Sequence, residues 1–187
     1  HSDHRRQRQM CIRDSLYPEL LRVVHGDLAR EFELASSPEL DVDFGRSVPY
    51  WPAFPDSADA LRRLKQHYKL VILSNVDREG FAASHRKLGV EFDAIYTAED
   101  VGAYKPDPRN FAYMLDRLER DLGVTAATVL HTAQSLFHDH VPAARAGLAR
   151  SWIDRQGLKE SENWGATAKV PQRPDVHFWY PTMMAMA

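Results

Sequence analysis

Leu70-Val71-Ile72-Leu73-Ser74-Asn75-Val76-Asp77 decides the reading of this chain. Four consecutive apolar residues are what a strand shows when both of its faces are covered, as in a parallel sheet, and Ser74-Asn75 is a turn signal that ends it. Upstream, residues 56–68 place Leu61, Leu64 and Tyr68 on one helical face, with Asp56 positioned as a cap and Asp59 in the first turn. Downstream, residues 78–88 predict a helix stopped by Gly89, and residues 94–97 a short strand. The alternation repeats: a helix over 108–122 ends at Gly123, a strand spans 128–131, a helix over 141–146 ends at Gly147, and a strand covers 150–153. Residues 159–175 are polar and read as a connector, and residues 177–180 as a last edge strand before a short Met/Ala-rich helix. Strands alternating with helices of about ten residues predict an α/β fold, a doubly wound parallel sheet.

The N-terminal part has a different character. From residue 16 to 32, Leu20, Val24, Leu28 and Phe32 recur every four positions with Leu21 beside them, which predicts one face of an amphipathic helix. The connector Val48-Pro49-Tyr50-Trp51-Pro52-Ala53-Phe54-Pro55 follows; its prolines disfavour helix and strand alike, so it marks a hinge or domain boundary that Tyr50, Trp51 and Phe54 are expected to pack. Residues 1–15 (HSDHRRQRQMCIRDS) lack apolar periodicity and read as a tail foreign to the fold or disordered. The expected organisation is therefore a tail over 1–15, a partial helical cap over 16–49 and an α/β core over 50–187.

Composition narrows the function classes. The 187 residues are 44% hydrophobic with a formal charge of -2, and no apolar stretch approaches the roughly 18 to 20 residues a membrane helix needs. A soluble, cytoplasmic protein is expected, with no membrane partner. The single cysteine, Cys11, excludes an internal disulfide framework. The basic residues form no stripe, so nothing points to nucleic acid, and a small anionic substrate is the expected partner. Whether the chain forms a homodimer stays open.

In an open parallel sheet, ligands sit at the carboxyl ends of the strands. Ser74-Asn75 follows the first strand there, Lys105-Pro106-Asp107-Pro108 the second, and Gln134-Ser135 with His138-Asp139 the third. A hydroxyl and an amide at a strand end can donate to a carboxylate or phosphoryl oxygen. Pro106 and Pro108 stiffen the loop that carries Lys105. The series, with about 30 residues from Asn75 to Lys105 and about 34 more to Asp139, resembles the second, third and fourth motifs of the haloacid-dehalogenase-like (HAD) hydrolases, and most resembles the type II (L-2-) haloacid dehalogenases. The resemblance implies a Rossmann-like core, a cap inserted after the first strand, and hydrolysis of a small 2-haloacid through an aspartyl ester. It implies that Lys105 and Asp139 are catalytic and that Ser74 and Asn75 bind substrate. Lys105 would keep the aspartate nucleophile ionised, and Asp139 would orient the lysine or position the hydrolytic water.

The sequence departs from that pattern in two places. The family's first motif, an apolar strand ending in the nucleophilic aspartate, has no counterpart: Asp3 and Asp14 follow no apolar strand, and Asp27, Asp41 and Asp43 lie within or after the helical piece. The chain is therefore expected to lack its first, central core strand and to be inactive alone. At the fourth motif, Ala133-Gln134 stands where HAD phosphatases place Gly-Asp, and glutamine is a poor ligand for a hard cation. No cofactor is expected; magnesium enters only under the alternative of a phosphatase acting on a small phosphate ester. Leu136 and Phe111 replace the asparagine and tyrosine of characterised haloacid dehalogenases, so the substrate stays open, as does a non-catalytic anion-binding protein. His131, His138 and His140 cluster with Asp139, but without the i, i+4 spacing of a metal site. Asp77 and Arg78 read as a solvated helix start.

Overall fold

The computed structural model describes residues 16–161 and 168–187; the basic stretch 1–15 and part of the polar connector lie outside them. The strands and helices alternate from residue 57 onward, as the pattern predicts. Helix α3 (Ser57–Lys65) leads into β1 (Val71–Ser74), α4 (Arg78–Leu88) into β2 (Ala94–Thr97), and α6 (Arg109–Leu122) into β3 (Leu130–Ala133). Helix α7 (Val141–Arg145) then leads to β4 (Ala149–Ile153), and β5 (Phe178–Tyr180) to α8 (Met183–Met186). Among the described residues, every strand pairing is parallel. Among the described residues, no helix is long and apolar enough to cross a membrane.

The sheet comes in two pieces. Strands β1 and β2 form one, and β3, β4 and β5, in that order, form the other. Among the described residues β1 pairs only with β2, so all four of its residues are half-buried, and the expected continuous coverage of both faces is not realised. Leu130 on β3 is likewise exposed. Strand β3 also starts two residues later than its sequence suggests, because Ala126–Thr128 closes into a 3-10 turn. His131 thereby falls inside the strand instead of at its end.

The apolar face of α6 makes the main core: Phe111, Met114 and Leu118 pack with Tyr96, Ala143 and Leu148. A second cluster joins Leu136, Trp152, Leu158 and Val170 on the far side of β4. The C-terminus is tied to the front of the core by Asp56. Its carboxylate does not cap α3, contrary to expectation; it accepts from Arg155 at 2.8 Å and from the Met184 amide at 3.1 Å. An arginine fork offers two donors where a helix N-terminus offers single amides, which explains the exchange of roles.

The cap part is a helical hairpin, α1 (Tyr17–Glu31) against α2 (Pro38–Gly45). Helix α2 was not anticipated, although Ser37 followed by Pro38 signals its start, and the Ser37 hydroxyl accepts from the Leu40 amide. Periodicity identifies α1 but selects the wrong face. Leu21 and Ala29 are buried, whereas Val24, Leu28 and Phe32 are exposed, because α2 is seated against the face carrying His25. There His25 stacks on Phe44 and its Nδ1 meets Asp41 Oδ1 at 2.7 Å. The hairpin closes tightly: a Cβ on Gly45 would stand 2.6 Å from the Pro18 carbonyl oxygen, so only glycine fits. The hinge aromatics pack less than expected. Tyr50 is 85% exposed and Phe54 lies under the Arg155 guanidinium at 4.1 Å, since the proline-rich segment runs across the surface.

Phe111→Ala is expected to lower the unfolding free energy by about 3–5 kcal/mol in urea titrations, through lost contacts and a residual cavity. Tyr50→Ala, at a solvent-facing position, should stay within about 0.5 kcal/mol.

Candidate active site

The carboxyl ends of β1 and β3 meet at one side chain. Lys105, from the loop between α5 (Ala98–Val101) and α6, donates from Nζ to the Leu73 carbonyl at 2.8 Å and to Asp139 Oδ1 at 2.6 Å. The lysine and aspartate side chains are only 9% and 10% exposed. An ammonium has three hydrogens, so two are committed here and one remains for another acceptor.

Asn75 sets the height of the lysine. The Lys105 amide donates to Asn75 Oδ1 at 2.7 Å, and Asn75 Nδ2 donates to the Lys105 carbonyl at 3.1 Å. This side-chain clamp grips both backbone polar groups of one residue and mimics a strand pairing. Ser74 is engaged more lightly, its hydroxyl accepting from the Val76 amide at 3.3 Å. The structure thus brings together Ser74, Asn75, Lys105 and Asp139, and it shows Asn75 as a brace of the lysine loop.

Asp139 is delivered by a π-helical turn, Leu136–His140, that follows β3. The wide turn lets the Asp139 and His140 amides share the Ser135 carbonyl, and it carries Asp139 back over its own strand. There Oδ1 also meets His131 Nε2 at 3.1 Å. Burial disfavours the charged carboxylate, yet the His131 hydrogen bond and the Lys105 ammonium outweigh it and hold the carboxyl well below its usual range. The three histidines go to three separate partners: His131 to Asp139, His138 to the Ser135 hydroxyl at 3.0 Å, and His140 to the Ala133 carbonyl at 2.9 Å. Among the described residues, no group of three His, Cys, Asp or Glu side chains is arranged to hold a metal ion.

One neighbour of the site differs from expectation. Asp77 is buried, not solvated; it caps α4 by accepting from the Gly80 amide at 2.8 Å. Burial, reinforced by the Asp77 charge, pushes the Tyr104 hydroxyl up to about 12, and the same two causes raise that of Tyr17. The Tyr17 and Tyr104 rings stand 6.4 Å apart, so the start of α1 reaches the lysine loop. Sequence reasoning missed the His131 contact, because the extra residue of a π turn is not visible in a spacing rule. Strand alternation does carry a partial signal, since it sets His131 opposite the exposed Leu130.

These features define a buried lysine–aspartate site at the carboxyl end of a parallel α/β sheet. Residues 6–131 match the family model of haloacid dehalogenase-like hydrolases, and the chain belongs to that family. Among relatives, (S)-2-haloacid dehalogenase 4A of Burkholderia cepacia is 35% identical over 108 residues, covering 56% of this chain and 45% of that protein. The (S)-2-haloacid dehalogenase of Pseudomonas sp. strain YL is 30% identical over 123 residues, covering 62% and 51%. The chain spans about half the length of the curated relatives it matches. The solved L-2-haloacid dehalogenase of Xanthobacter autotrophicus superposes with a TM-score of 0.75 over 92% of this chain and 74% of that one, at 20% identity, and shares the fold.

Lys105→Met is expected to cost about 3–5 kcal/mol in denaturant unfolding, because it strands a buried carboxylate, and the Lys105→Met/Asp139→Leu pair should recover most of that loss. Stability should also depend on His140, whose buried ring is pushed down to about 4, first by desolvation. An unfolded histidine titrates near 6.5, so its contribution is complete above about pH 6.5 and falls by roughly 3 kcal/mol by pH 4. Thermal midpoints measured from pH 7 to 4 should drop less steeply in His140→Gln.

Proposed function

We propose that the site hydrolyses the carbon–halogen bond of a small 2-haloacid, with the aspartate nucleophile carried on a strand that lies between β1 and β3. The observation that carries this reading is the buried Lys105 ammonium, which spans the ends of two unjoined sheets with one hydrogen uncommitted. A carboxylate brought in on such a strand would meet that ammonium and stay ionised. Its oxygen attacks the carbon bearing the halogen, and the halide departs with the bonding electrons. Water then attacks the carbonyl carbon of the resulting ester and the acyl–oxygen bond breaks. One proton of the water goes to the departing alkoxide, which leaves as a 2-hydroxyacid, and the other to solvent as the carboxylate is regenerated. Ser74 and the remaining Asn75 N–H would bind the substrate carboxylate in this proposal.

Two further observations support the reading. The relatives at 35% and 30% identity are (S)-2-haloacid dehalogenases. Gln134 offers no carboxylate where a magnesium-dependent phosphatase needs one, and the Asp139 oxygen that meets Lys105 is already shared with His131. The described residues place no aspartate on a strand between β1 and β3, so this chain alone is expected to be inactive.

Halide release from (S)-2-chloropropanoate tests the proposal, comparing this chain with a version extended by the upstream sequence of its gene. The extended protein should release chloride at least about a thousandfold faster than the chain alone, the order expected for loss of a nucleophile. Equal and measurable halide release from both would show that the nucleophile lies within this chain. Phosphate release that needs magnesium, without halide release, would overturn the dehalogenase reading in favour of a phosphatase.

A further inference from the structure

We infer that His131 is a positioning residue of this site, which fixes the Asp139 carboxylate and, through it, the Lys105 ammonium. The inference deepens the hydrolase reading above and rests on it for the catalytic meaning of Lys105. Asp139 Oδ1 takes both contacts, from Lys105 at 2.6 Å and from His131 at 3.1 Å, and Oδ2 accepts from no described residue. An ionised carboxylate oxygen can only accept, so His131 Nε2 must carry the hydrogen. With Lys105 as its one partner, the carboxylate could swing about its terminal torsion and take the ammonium with it. A second donor from a different direction removes that freedom.

His131 is itself held rigidly. It sits inside β3, where parallel pairing to Arg150 of β4 fixes its backbone. Its ring packs edge-on to Phe111 at 5.0 Å and to His140 at 6.2 Å. The side chain is 10% exposed, so water does not compete for the bond. The titratable groups facing Asp139 are Lys105 from its loop, His131 from β3, and His138 and His140 from the π turn. Of these, only Lys105 and His131 touch the carboxylate. His138 is bonded to Ser135 and His140 to Ala133, so neither can replace His131 without a rotamer change. The arrangement also separates the two roles open to Asp139. An oxygen with two donors is a weak proton acceptor, so Oδ1 anchors the lysine, while Oδ2 is the atom left to touch water.

The test needs no turnover. In the full chain labelled with 15N-lysine, the shielded Lys105 ammonium should give its own proton–nitrogen cross-peak, assigned by its loss in Lys105→Arg. His131→Leu is expected to shift or broaden that peak and to raise the titration midpoint of the 13C-labelled Asp139 carboxyl by about one pH unit, the size of one lost hydrogen bond to a charged group. His131→Gln, which restores an N–H donor, should return both toward the wild-type values. A merely structural role for His131 would lower the melting temperature of His131→Leu while leaving the peak and the midpoint unchanged, and that result overturns the inference. Should His131→Leu fail to fold, His131→Gln decides: a preserved Lys105 peak supports the inference, and a peak lost from a folded protein overturns it. In the upstream-extended protein, His131→Leu should lower kcat about tenfold with KM little changed. If the extended protein releases no halide, the dehalogenase reading fails while the spectroscopic outcomes still decide the role of His131.

Discussion

A buried ammonium joins the two halves of this molecule at their working end. Lys105 reaches the last turn of β1 through the Leu73 carbonyl and the turn beyond β3 through Asp139. Among the described residues no strand pairing connects those halves, so this side chain, with the Asn75 clamp that sets its height, aligns the residues that the fold brings together. Exposed pairs such as Arg117–Asp121 on α6 contribute a few tenths of a kcal/mol each. The Lys105–Asp139 pair works differently. Taking both charges out of water is expensive, and the arrangement is tolerable because the Leu73 carbonyl and His131 supply further hydrogen bonds.

The same constraint links packing to chemistry. Phe111 holds His131, His131 holds Asp139, and Asp139 holds Lys105, so the largest buried side chain of α6 and the site's cation belong to one mechanical series. The π turn makes the series possible by returning Asp139 over β3. The half-buried β1 and the exposed Leu130 of β3, on either side of the seam, mark where the sheet is least satisfied. A strand inserted there would cover apolar surface, pair backbone groups and bring its end to the ammonium at once.

Much of this was legible in the residues. Apolar runs ending in turn signals located β1, β2, β4 and β5 to within a residue, and glycines at 89 and 123 closed their helices as expected. Ser74, Asn75, Lys105 and Asp139 were identified by their places after strands, and the fold gathers them. What failed did so for physical reasons. The stripe on α1 marks one apolar face of an amphipathic helix, yet a helix with one neighbour buries whichever side that neighbour meets. Asp56 looked like a cap until a better donor, Arg155, arrived from 99 residues away.

By itself, then, the sequence determined the alternation of strands and helices and the residue types at each strand end, because both depend on local periodicity and turn chemistry. The tertiary structure alone decided that Asn75 braces a backbone, that Asp77 is buried, and that His131 shares an oxygen with Lys105. Those contacts join residues brought together by crossover connections and by a turn one residue wider than an α-helix. Hydrogen bonds form between atoms about 3 Å apart in space, and no spacing along a chain encodes that proximity until the chain has packed.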